Sequence, residues 1–152
     1  MKKLFLMNLI ILFASTLFCQ NMIEEVKEKF KNFTDGDILI SKDYTYKTGN
    51  FEKSNEAYSN ALIGVYYDDN DYTQKDIRKY KNPIKISGFT YVKYNNENGT
   101  IKAGDPVTSS STPGEAMKAN QSGMILGVAL EDPETSSKNL LKIRLSIQYL
   151  NF

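Results

Sequence analysis

The chain has no histidine and a single cysteine, Cys19. Without imidazole there is no histidine general base, no imidazole metal ligand and no triad that depends on a ring nitrogen. Cys19 ends an apolar N-terminal run, so the sequence beyond it holds no thiol nucleophile, no pair for an intrachain disulfide and no cysteine-rich zinc site. Net charge is also lacking. The 152 residues carry +1, and if the first nineteen leave, Lys2 and Lys3 go with them and 17 basic residues face 18 acidic ones. That balance gives no electrostatic footprint for nucleic acid. With 41% hydrophobic, 12% aromatic and 24% charged residues, the composition is globular. A domain of this size buries roughly two-thirds of its unfolded surface and folds without staples. One domain with a short appendage is expected.

Residues 1–19 read as a signal peptide: Lys2 and Lys3 precede an almost unbroken apolar run from Leu4 to Phe18. The run is shorter than the roughly 20 residues of a spanning helix, which favours export with cleavage over a permanent anchor. Cys19 opens a second route, a lipoprotein leader in which the cysteine is lipidated. Export therefore places the product in the periplasm, at the cell surface or outside the cell, with membrane contact only through the leader or a lipid on Cys19. Residues 20–34 read as a short amphipathic helix. Ile23, Val26, Phe30 and Phe33 share one face, and Glu25–Lys29 and Glu28–Lys31 support the wet side. So short a helix needs a surface to pack on or a partner helix.

From Asp35 the period changes to that of strands. Gly36-Asp37 turns into Ile38-Leu39-Ile40-Ser41, Tyr44 to Lys47 alternates, and Ala61 to Tyr66 is a buried strand candidate. Asp68-Asp69-Asn70-Asp71 invites a calcium loop starting at Asp69, with Asp71 and Thr73 in register. Gln74 stands where the turn glycine belongs and Tyr80 where the bidentate glutamate belongs, so a solvated acidic loop is expected instead. Ser87-Gly88 looks like a bend, and Asn98-Gly99 predicts a tight turn pairing Phe89–Tyr94 with Ile101–Thr108. In Leu140 to Leu150, Leu141, Ile143, Leu145, Ile147 and Tyr149 alternate with polar residues, a half-buried strand. Each of the five is worth roughly 1.5 to 3 kcal/mol if fully buried.

The most structured stretch is Ile101 to Glu131. Gly104-Asp105 turns, Pro106 to Ser109 is extended, Thr112-Pro113-Gly114 has Pro and Gly where a type II turn wants them, and Met124 to Leu130 is apolar. It has an upstream counterpart. Asp35-Gly36-Asp37-Ile38-Leu39 matches Ala103-Gly104-Asp105-Pro106-Val107, and Asn60 to Val65, with Gly64, matches Gly123 to Val128, with Gly127. A repeated unit of this size cannot bury its own apolar face, so two copies close on each other. The expected fold is mainly β. It is a single pseudo-twofold β barrel or sandwich built from two related halves over residues 35–152, preceded by the signal peptide and the amphipathic helix.

Gly104-Asp105 through Ser109-Ser110-Ser111-Thr112-Pro113-Gly114-Glu115-Ala116-Met117-Lys118-Ala119, with Gly127-Val128-Ala129-Leu130-Glu131, closely resembles a small β module. That module occurs near the C-termini of bacterial exported proteins and of phage tail-fibre-like proteins. Looser upstream matches are Glu52 to Tyr58, Ile63-Gly64-Val65-Tyr66, Ile86-Ser87-Gly88 and Tyr91-Val92-Lys93. The resemblance implies a structural or surface-exposed role without catalytic residues, and a trimer if the protein is fibre-like.

The only nucleophile set is Ser109, Ser110, Ser111 and Thr112 with Lys118, since serine and lysine can work without histidine. A hydroxyl run beside Pro-Gly is better read as a turn, because Lys118 would have to be buried and depressed in pKa. Asp37 and Asp105 resemble a carboxylate pair, but an aspartate after glycine caps its own turn. Gly36, Asp37, Gly64, Gly104, Asp105, Pro113, Gly114 and Gly127 are therefore assigned to specifying the fold, and no catalytic, cofactor or metal residue is assigned. Ten tyrosines, Tyr44, Tyr46, Tyr58, Tyr66, Tyr67, Tyr72, Tyr80, Tyr91, Tyr94 and Tyr149, offer an aromatic contact surface for a glycan or a protein, although strand propensity explains many of them. The partners expected are another protein or a second copy. Two functions follow: an exported, non-catalytic structural or interaction module, or a phage-derived tail-fibre or head-decoration-like protein.

Overall fold

The computed structural model describes residues 14, 17–18, 20–21, 24–25, 28–43, 50–67, 83–135 and 140–152. Cys19, Tyr44 to Lys47 and the Asp68 to Tyr80 interval lie outside them. The described residues from Ala14 to Phe30 are helical, and Glu28 pairs with Lys31. None of the helices among the described residues is long and apolar enough to cross a membrane. They belong to one compact unit, residues 1–32 and 69–83, while residues 33–68 and 84–152 form another. The helical stripe expected to include Phe33 stops short of it. Helical geometry ends at Phe30, and Phe33 belongs to the β unit, its ring centroid 5.8 Å from that of Tyr66.

The β unit contains two antiparallel sheets. One has strands β1 (Ile38–Ser41), β2 (Phe51–Lys53), β3 (Leu62–Tyr66) and β4 (Ile84–Lys85) in the order β2-β1-β3-β4. The other has β5 (Ser87–Val92), β6 (Pro106–Ser109), β7 (Ala116–Lys118), β8 (Gly123–Ala129) and β9 (Leu141–Leu150) in the order β5-β9-β8-β6-β7. Among the described residues neither sheet closes into a barrel. Ile86 alone separates β4 from β5, so one stretch of chain passes from the first sheet to the second. A single core joins them: Ile38, Leu62 and Val65 pack with Val92, Val107, Leu126, Leu141, Ile143 and Leu145.

The two sheets repeat one pattern of pairing. Leu39 lies opposite Lys53 and Gly64 in the first sheet, and Val107 lies opposite Lys118 and Gly127 in the second. Val65 pairs with Lys85 where Val128 pairs with Arg144. The glycines share a cause. A Cβ on Gly64 would stand 2.2 Å from the carbonyl oxygen of Lys85, and one on Gly127 would stand 2.1 Å from that of Arg144. Only glycine lets the neighbouring strand approach so closely.

One expected pairing is overturned. Phe89–Tyr94 does not form a hairpin with Ile101–Thr108. β5 pairs with β9, from Ser87↔Ser146 to Val92↔Leu141, and β6 pairs with β7 and β8. The tight turn is present, but the Gly99 N–H donates to the Asn96 carbonyl at 3.0 Å. Asn98-Gly99 therefore takes the last two places of the turn, not the central two that close a two-residue hairpin. Ile101 is left outside any strand and is fully buried in the core.

In β9 the alternation holds, but burial fades along it. Leu141, Ile143 and Leu145 are buried, Ile147 is half-buried, and Tyr149 is 65% exposed. The strand outruns the core it packs on.

Candidate functional site

The two Gly-Asp turns have the same construction. Thr34–Asp37 and Lys102–Asp105 are each closed by the aspartate N–H donating to the first carbonyl at 3.0 Å. Gly36 and Gly104 take φ of 85° and 90°, as the third position of a type II turn requires. Each carboxylate reaches back to the N–H of the first turn residue: Thr34 donates to Asp37 Oδ2 at 2.7 Å and Lys102 to Asp105 Oδ2 at 2.8 Å. Each also holds the lysine of the neighbouring edge strand, Lys53 at 2.9 Å on Asp37 and Lys118 at 2.7 Å on Asp105. The carboxylates are thus equivalent positions in two separate turns, each with its own cation.

They differ in surroundings. The Asp37 side chain has no solvent exposure and holds a second ammonium, Lys93 at 2.6 Å, whereas Asp105 keeps 22%. Burial by itself pushes the Asp37 carboxyl up, but hydrogen bonds from Lys93, Lys53 and the Thr34 N–H together hold it below the ordinary value of 3.8. At Asp105 burial again opposes, and Lys118 with the Lys102 N–H prevails, lowering the pKa. Lys93 follows β5, so the bond it donates to Asp37 ties the second sheet to the first turn.

Thr112-Pro113-Gly114 closes as a turn, the Glu115 N–H donating to the Thr112 carbonyl at 3.2 Å with Gly114 at φ 79°. Pro113 is exposed, while Gly114 is buried against Asp37. Gly114 accepts from the Ile38 N–H at 2.9 Å and donates to the Ser54 carbonyl at 2.7 Å. The tip of the β6–β7 hairpin is therefore bonded into the first sheet.

The hydroxyls of the serine run are all engaged. Ser109 Oγ donates to the Glu56 carbonyl at 2.8 Å and accepts from the Ser59 N–H at 2.9 Å. Ser110 Oγ reaches the carbonyls of Thr112 and Glu115 and accepts from Asn95 at 2.8 Å. Ser111 donates to Glu97 at 2.8 Å. The Lys118 ammonium sits on Asp105, not on a serine. Among the described residues no group of three or more acidic, cysteine or histidine side chains converges on a metal position.

Tyr58 carried no signal of its importance in the sequence. It is the one non-glycine residue with positive φ, 55°, among the described residues, an unusual conformation for a bulky side chain. Its hydroxyl accepts from the Asn120 N–H at 2.8 Å and donates to Asn120 Oδ1 at 3.0 Å, and its ring lies over Gly123. A shallow polar cleft of about 440 Å³ opens beside it, lined in part by Ser41, Lys42, Glu56, Ser59 and Asn60. Of the tyrosines expected to offer an aromatic surface, Tyr44, Tyr46, Tyr72 and Tyr80 lie outside the described residues, while Tyr66 is buried, Tyr94 packs on the core, Tyr58 is held by Asn120 and Tyr149 is exposed. No family model matches the chain, nor does any curated protein or any solved structure.

Proposed function

We propose that this protein is an exported, non-catalytic structural or interaction module of the cell envelope or the extracellular space. In this view residues 35–152 are two copies of one β unit, related by a pseudo-twofold axis and closed on a common core as a sandwich, behind a leader and a short helix. The observation that carries it is where the reactive side chains go. Asp37, Asp105, Lys118 and Ser109 to Ser111 each make bonds that hold a turn or join the two sheets. Side chains spent on shape leave surface contact as the role, with another protein or a second copy as the partner. Cell fractionation with N-terminal sequencing tests it. A processed N-terminus near Cys19 in an envelope or culture fraction is expected, and an unprocessed chain in the cytoplasm would refute export.

The resemblance of Gly104 to Glu131 to modules of phage tail-fibre-like proteins supports a second reading, a tail-fibre or head-decoration-like component. The leader separates the two, since a virion part assembled in the cytoplasm has no use for Lys2 to Phe18. Loss of a hydrolase activity in Ser110→Ala or Lys118→Ala would overturn both.

A further inference from the structure

We infer that the C-terminal half of β9, Ile147 to Leu150, is a pairing edge for a second copy of this chain. This rests on the reading of the protein as an interaction module and names the partner. Between Leu141 and Ser146, β9 is bonded to β5 on one side, and β8 lies on the other. The β5 ladder stops at Ser87↔Ser146, because the chain before Ser87 turns off through Ile86 into the other sheet. The β8 ladder continues to Gln148, Tyr149 and Leu150. Among the described residues, one edge of this tail has no strand beside it.

The internal repeat shows what is missing there. A shift of 59 residues carries Lys85, opposite Val65, onto Arg144, opposite Val128, and it carries Ser87 onto Ser146. Ser87 and Ser146 are thus equivalent positions that pair with each other. Applied to the ladder of 88–92 with 141–145, the same shift would pair 147–151 with 82–86. Ile84 and Lys85 pair with β3 as Ile143 and Arg144 do with β8, and no ladder joins 84–86 to 147–151 among the described residues. Among the described residues the fold contains one half of a symmetrical ladder, and the edge of the β9 tail is left open there.

Charge argues for a second copy. Edge strands avoid one another by carrying lysine or proline, and Lys53, Lys85 and Lys118 stand on β2, β4 and β7. The outer edge of β5 is met by Lys85, whose ammonium donates to the Phe89 carbonyl at 3.4 Å. Ser146-Ile-Gln-Tyr-Leu-Asn-Phe152 has neither charge nor proline. Two such tails pair antiparallel about a twofold axis with no like charges opposed, which satisfies the open N–H and C=O groups and covers Tyr149 and Phe152, 65% and 67% exposed. The contact is isologous and closes at two.

Light scattering coupled to size exclusion, on the full chain as the cell processes it, tests this with Gln148→Lys, Tyr149→Lys and Phe89→Lys. All three positions are exposed, and circular dichroism checks that each variant is folded. The wild type should approach twice the chain mass by about 100 µM. Gln148→Lys and Tyr149→Lys should weaken association at least about tenfold, and Phe89→Lys should leave it unchanged. A wild-type monomer, a trimer, or a dimer indifferent to both tail lysines would overturn the proposal. A chain retained in the cytoplasm would refute export while leaving this interface standing.

Discussion

The carboxylates of the two Gly-Asp turns occupy equivalent places, so their difference is a matter of environment. Asp37 is fully enclosed with two lysines, and replacing it with asparagine leaves both ammonium groups beside a neutral amide. Asp37→Asn should lose roughly 2 to 3 kcal/mol at neutral pH, and Asp105→Asn about 1 kcal/mol, read as urea midpoints. Both folded-state pKa values lie below the ordinary 3.8, so the stability they add is present above that value and is lost as pH falls through the folded one. Acid unfolding below pH 3.8 should therefore be blunted in Asp37→Asn, and an unchanged acid limb would count against this network. Ser54 is the converse case. Its buried hydroxyl has no partner, and it bonds the Ile38 carbonyl through its N–H as Ala119 does that of Pro106. Ser54→Ala should then be neutral or stabilising by up to about 1 kcal/mol, and a clear loss of midpoint would contradict it.

At the level of strands, the close approaches at Gly64 and Gly127 are the least tolerant positions. Gly127→Val would drive a side chain into the Arg144 carbonyl and should destabilise by about 3 kcal/mol or more. Gly64→Ala meets the Lys85 carbonyl in the same way and should fall in the same range. Pro113→Ala, at an exposed corner, should cost under about 1 kcal/mol. Equal urea midpoints for Gly127→Val and Pro113→Ala would refute the strand assignments. Alternation located β9, and the Gly-Asp and Pro-Gly pairs located three turns, because those signals are local. The partner of β5 was not legible, since alternation tells a strand which face is apolar and says nothing about which neighbour it joins. The turn at Asn96–Gly99 misled for the same reason: Asn-Gly announces a bend, while its offset within the turn decides where the chain goes next.

For the β unit as a whole, one core shared by both sheets predicts one unfolding transition. Leu62→Ala in the first sheet and Leu141→Ala in the second should each lower it by roughly 2 to 5 kcal/mol. Tyrosine fluorescence and circular dichroism should report coincident curves, and two separated transitions would mean that the sheets fold apart. Composition removed histidine chemistry, the position of Cys19 left no thiol in the sequence beyond it, and periodicity with turn residues announced a β protein with a repeat, because absence, alternation and turn preference are properties of short windows. Which β strands meet, how deeply Asp37 is enclosed by Lys53 and Lys93, that Tyr58 takes a positive φ and bonds Asn120, and that β9 runs past the end of β5 all depend on residues far apart in the chain. Those contacts exist only once two sheets have closed on one core, and nothing in a short window records them.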